Sequence, residues 1–131
     1  GFRIVNHWAT WCDPCVDELP LLVDLHERSG GKVLAISWDR FETSEDLDQT
    51  EALVADFARE QDLVFPIVIV DAEPDEFFAA LGVSWRRIPQ TWLVDGAGAV
   101  VHRHEGVLDA DSAEELLGRF LELLEGASVR A

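Results

Sequence analysis

From Phe2 to Trp8 the chain is mostly apolar, and after only three further residues comes Cys12-Asp13-Pro14-Cys15, at what reads as the start of a helix. An apolar run of this length marks a strand buried on both faces. Such a strand belongs in the middle of a sheet, so later segments must flank it on either side.

The rest of the chain supplies those segments. Cys12 to Ser29 reads as a helix with Leu19, Leu22, Val23 and His26 on its apolar face, Pro20 kinking it and Gly30-Gly31 stopping it. Lys32 to Trp38 is a second buried strand. The acidic stretch Asp39 to Gln49 leads into another helix, with Ser44 or Asp46 as its N-cap and Leu53, Val54, Phe57 and Ala58 as its apolar stripe. Phe65 to Val70 reads as a short strand, and Pro74 to Leu81 as a short helix closed by Gly82. Strand, helix, strand, helix, strand implies parallel pairing. The last third differs: Thr91 to Val94 and Ala99 to His104 flank Asp95-Gly96-Ala97-Gly98, a hairpin signal. Ser112 with Glu115 forms a capping box that opens a final helix, which buries Leu116, Leu117, Phe120, Leu123 and Leu124 and ends at Gly126. The expected class is α/β, a central mixed sheet flanked by helices.

The 131 residues fit one domain spanning 1–131. No apolar run approaches the roughly 20 residues of a membrane-spanning helix. A net charge of -16 argues against nucleic acid and against anionic membrane surfaces, both of which need clustered Lys and Arg. It also opposes formation of a thiolate, so a reactive cysteine here must be activated locally.

Two cysteines cannot build a disulfide framework. Zinc would need two more ligands, and His7, His26, His102 and His104 show no finger-like spacing to the pair, so no metal is expected. Disulfide exchange, by contrast, needs one accessible thiolate and a second thiol near enough to resolve the mixed disulfide. With Cys12 at the helix mouth, unpaired N–H groups and the helix dipole stabilise its thiolate, and Cys15, one turn deeper, is the resolving thiol. Pro14 suits a first turn. Trp11, beside the nucleophile, offers a flat apolar contact to substrate. The bland alternative is that both cysteines are small core residues.

The segment Val5-Asn6-His7-Trp8-Ala9-Thr10-Trp11-Cys12-Asp13-Pro14-Cys15, then Glu18-Leu19-Pro20, then Ile88-Pro89-Gln90-Thr91-Trp92-Leu93-Val94-Asp95, resembles the bacterial membrane-tethered thioredoxin-like proteins of the TlpA and ResA type. The resemblance implies a thioredoxin-like fold without that family's usual N-terminal strands, so that the chain is either trimmed or one domain of a longer protein. It implies that Cys12 attacks and Cys15 resolves, that Pro89 is a cis-proline leaving the Ile88 backbone free to bond a substrate chain, and that Glu18 tunes or relays the Cys15 proton. There would be no cofactor beyond the Cys12–Cys15 dithiol. The partners implied are protein disulfide clients and an upstream redox partner, the state monomeric, the location extracytoplasmic.

The chain also departs from these relatives. Asn6 stands where thioredoxin has a buried aspartate, which leaves Glu18 as the nearby acid. His7 replaces a usual aromatic and reads as a buried neutral histidine. The loop Val83 to Ile88 places Trp85, Arg86 and Arg87 beside the site, with Arg87 a candidate substrate contact. His102 and His104 share a strand face and read as surface residues. The function expected is thiol-disulfide exchange, with Asp13 and the acidic field favouring a reductant and a cytochrome c maturation-like role. The alternative is a copper or other soft-metal carrier using the same cysteines. A peroxidase of the peroxiredoxin kind is disfavoured by the spacing of Thr10 from Cys12.

Overall fold

The strand that leads to the cysteines is central. The computed structural model describes residues 1–40, 46–71, 76, 79–80 and 88–130, with side chains to 126. β1 (Arg3–Trp8) pairs in parallel with β2 (Val33–Ser37) and antiparallel with β4 (Gln90–Val94). β3 (Ile67–Ile69) extends the sheet beside β2, and β5 (Val100–Glu105) beside β4, giving the order β3-β2-β1-β4-β5. Period-two alternation divides the sheet's contents between two faces. On one side Ile4 and Trp8 pack with Leu22, Leu25, Val54, Leu93, Leu117 and Phe120; on the other Val5 packs with Trp38, Val70 and Trp92.

The helices depart from expectation in instructive ways. Cys12 to Ser29 is not one kinked helix but two, α1 (Asp13–Asp17) and α2 (Leu19–Arg28), joined at Glu18. Pro20 lies in the first turn of α2, where its missing N–H costs nothing; a continuous helix would have set its ring against the Val16 carbonyl. The Glu18 N–H takes that carbonyl instead. Leu25, rather than Val23 or His26, completes the buried face of α2 with Leu19 and Leu22.

α3 (Leu47–Glu60) is capped by Asp46 in a reciprocal box with Gln49; Ser44 lies outside the described residues. Thr50 and Val54 are its buried positions, and Leu53, expected in the stripe, is 45% exposed. β3 is shorter than the run Phe65 to Val70 because Pro66 has no N–H for the ladder; its carbonyl still accepts from Ala35 N. Of the helix expected at Pro74 to Leu81, Glu76, Ala79 and Ala80 are helical and the remainder, with Gly82, lies outside the described residues. The Asp95–Gly98 turn forms as expected: Asp95 Oδ1 accepts from Ala97 N and Ala99 N, and Gly98 takes the positive φ of 88° that closes it.

The final helix, α4 (Ala110–Arg130), starts earlier and ends later than expected. Its N-terminal box is Asp109 with Ser112, not Ser112 with Glu115. A carboxylate is the stronger acceptor for the free N–H, and the buried Leu108 just before it fixes where the chain turns in. Gly126 does not stop α4, since a glycine ends a helix only by turning left-handed and Gly126 has no positive φ. Among the described residues no helix is long and apolar enough to cross a membrane.

Candidate active site

Cys12 and Cys15 meet at the carboxyl end of β1. Cys12 is the N-cap of α1 in extended conformation, and its Sγ accepts from Cys15 N at 3.3 Å. The two are joined as a disulfide with their Cα atoms 5.3 Å apart. Cys12 keeps 7% exposure and Cys15 none, while Trp11 beside them is 47% exposed. Because α1 stops at Asp17, no long helix dipole stands behind Cys12. The groups that can stabilise a Cys12 thiolate are the few free N–H groups of one short turn, and the exposed Asp13 carboxylate beside them opposes it.

Glu18, at the break between α1 and α2, is 1% exposed. Its Oε1 accepts from Asn6 Nδ2 at 2.9 Å and its Oε2 from Leu108 N at 2.7 Å. Burial pushes its carboxyl up from the ordinary 4.5, opposed by these donated bonds and by the charge of His104. Asn6 Nδ2 also reaches Thr91 Oγ1 at 3.0 Å and the Gln90 carbonyl at 3.3 Å, so one amide ties β1, β4 and the helix break together.

The register that pairs His7 with Gln90 carries Pro89 to the same end of the sheet as the cysteines. The Ile88–Pro89 peptide is cis, Pro89 is buried, and its carbonyl accepts from Gly106 N at 3.0 Å. Ile88 packs against both apolar clusters. Arg87, with Trp85 and Arg86, lies outside the described residues. Cys12, Cys15, Trp11, Ile88 and Pro89 are thus gathered at one end of the sheet, and Glu18 lies beneath it.

His7 is fully buried on the opposite face of β1, its Nδ1 accepting from Trp38 Nε1 at 3.1 Å and its ring 4.1 Å from that of Trp92. Burial lowers its pKa from 6.5 to about 3, so it is the neutral histidine expected. His102 and His104 alternate with exposed residues on β5 and are half-buried. Among the described residues no group of three or more His, Cys, Asp or Glu side chains is placed to hold a metal ion.

One polar anchor escaped the sequence reading. Asp39, just past β2, is 1% exposed; its Oδ1 accepts from Thr10 N at 2.9 Å and from the Thr10 hydroxyl, and its Oδ2 from Ser37 Oγ at 2.5 Å. It pins the turn two residues before Cys12. The only local hint was an acid placed directly after a buried strand, which says nothing of a partner 29 residues away.

Comparison with known proteins places the chain in a family. Residues 2–117 match the Redoxin family. The thiol-disulfide oxidoreductase ResA of Bacillus thuringiensis subsp. konkukian is 29% identical over 116 residues, covering 86% of this chain and 60% of that protein. The thiol:disulfide interchange protein DsbE homolog of Paracoccus denitrificans is 31% identical over 129 residues, covering 97% of this chain and 62% of that protein. The chain therefore spans about six-tenths of the length of these relatives. In fold, the crystal structure of StoA from Bacillus subtilis superposes with a TM-score of 0.67 at 24% identity, covering 89% of this chain and 80% of that one. The chain belongs to the Redoxin family and, as its motifs implied, to the thioredoxin-like proteins of the TlpA and ResA type.

Proposed function

We propose that this chain exchanges disulfides with protein clients through Cys12 and Cys15, as a reductant acting outside the cytoplasm. The observation that carries the reading is the Cys12–Cys15 disulfide at the mouth of α1, with Cys12 keeping 7% exposure and Cys15 none. In the reduced protein the Cys12 thiolate attacks a client disulfide, forming a mixed disulfide and releasing one client thiolate, which takes a proton from water. Cys15 then gives up its proton to Glu18 and attacks Cys12 Sγ. The second client thiolate leaves, and the protein holds the disulfide described here. Two electrons pass to the client, and an upstream dithiol partner must return them.

Glu18 supports the resolving step because a buried carboxyl with a raised pKa is poised to take up a proton. Ile88 and Pro89 offer backbone for a client strand, Trp11 an apolar platform, and Arg87 a cation for the client chain. The protein works as a monomer and needs no cofactor other than its own dithiol. A secreted client such as apocytochrome c fits the resemblance to membrane-tethered TlpA- and ResA-type proteins. The reductant direction follows from weak thiolate stabilisation: a one-turn helix and a neighbouring Asp13 do little to favour the reduced form.

A redox titration of the pair, read by alkylation of Cys12 and Cys15, tests the proposal. A midpoint toward about -270 mV supports it, and one near -120 mV overturns the direction. Copper bound at the pair without turnover of a protein disulfide would replace exchange with metal carriage.

A further inference from the structure

The segment between β5 and α4 is held at three consecutive residues. Gly106, at a φ of 94°, donates its N–H to the Pro89 carbonyl at 3.0 Å. The Val107 carbonyl lies 3.2 Å from His104 Nε2, which must donate to it. Leu108 N–H donates to Glu18 Oε2 at 2.7 Å. One bend thus joins the cis-proline loop, the buried acid and a half-buried histidine, while the Val107 side chain stands 48% exposed.

We propose that His104 is a positioning residue for the dithiol site: through the Val107 carbonyl it holds the bend so that the Leu108 N–H stays on the Glu18 carboxylate. The bond is made by the neutral Nε2–H tautomer as well as by the imidazolium, so the clamp does not depend on the histidine's charge. That charge acts on Glu18 and, at the start of α4, on Asp109. His102, two residues back on the same strand, faces His104 as a like charge when protonated, and Arg119 and Glu115 of α4 lie beside His102. A positive charge at His104 favours the Glu18 carboxylate.

The consequence for exchange rests on the role given to Glu18 above, but the clamp does not. The test therefore reads the clamp directly in the oxidised protein, by hydrogen exchange at the Leu108 amide and by carbon-13 titration of the Glu18 carboxyl. His104→Ala should accelerate Leu108 exchange roughly fivefold, the loss of one hydrogen bond, and move the Glu18 titration upward. His104→Gln places an amide nitrogen where Nε2 was; it should restore Leu108 protection to about the native value while the Glu18 titration stays shifted, since the donor returns and the charge does not. Unchanged Leu108 protection in His104→Ala, or a Gln variant no better than Ala, overturns the proposal. If Glu18→Gln leaves exchange untouched, the proton-accepting role of Glu18 falls while these measurements still decide His104.

Discussion

Asn6 Nδ2 and Glu18 Oε1 lie 2.9 Å apart, joining the strand that ends at the cysteines to the helix break that follows them. The Asn6 amide gives the Glu18 carboxylate a donor, and the Leu108 N–H gives a second from the far side. Both contacts suit the ionised form, while exclusion of water suits the protonated one. Burial wins, and the carboxyl is raised.

That balance predicts a pH signature for Glu18→Gln. With the native carboxyl raised above 4.5, the folded chain keeps a proton that the unfolded chain has lost, so this residue's contribution is present below 4.5 and declines as pH rises through the native value. The glutamine variant lacks that decline. Urea unfolding from pH 4 to 8 should show the variant gaining on the wild type as pH rises; a constant difference would contradict the raised carboxyl. On the exchange side, the same variant should lose roughly tenfold or more in rate if the carboxylate takes the Cys15 proton.

Cys15→Ser should trap clients. Without the resolving thiol, the Cys12 mixed disulfide has no internal attacker and accumulates as a covalent complex on non-reducing gels. Cys12→Ser should give none. Equal trapping by the two variants would remove the assigned order, and trapping by Cys12→Ser alone would reverse it.

His7 should make the fold acid-sensitive. Its native pKa of about 3 lies below the ordinary 6.5, so the unfolded chain takes up a proton that the native core refuses, and stability falls as pH drops from 6.5 toward 3. The slope from this one group approaches about 1.4 kcal/mol per pH unit inside that window. His7→Asn keeps an acceptor near the Nδ1 position for Trp38 without titrating, and its stability curve should be flatter there. Parallel curves for the two proteins would show that His7 is not the source.

Asp39→Ala should unfold more readily. It strands the Thr10 N–H, the Thr10 hydroxyl and the Ser37 hydroxyl away from the acceptor they share, a loss of about 2–4 kcal/mol in urea unfolding. Asp39→Asn, which keeps one oxygen for Thr10, should cost about half of that. An alanine variant as stable as the wild type would mean that solvent reaches these groups without penalty.

What was legible in the sequence was local. The buried strand Phe2 to Trp8, the pair at the mouth of a helix and the Asp95–Gly98 turn depend on residues within a few positions of one another, where periodicity, capping and turn chemistry act. Boundaries were less legible: whether Pro20 bends a helix or begins a new one depends on whether Glu18 can leave helical pairing, and its carboxylate has two tertiary partners waiting.

The order of the elements and the place of the cysteines were therefore determined by the amino-acid sequence alone, because near-neighbour sterics and burial patterns are enough to specify them. The partners of Glu18, the grip of Asp39 on Thr10 and the bend shared by His104 and Pro89 were decided only by the tertiary structure. Each unites groups from chain segments up to 90 residues apart. A buried polar atom takes whichever partner the packed fold delivers, and no local pattern in the chain records that choice.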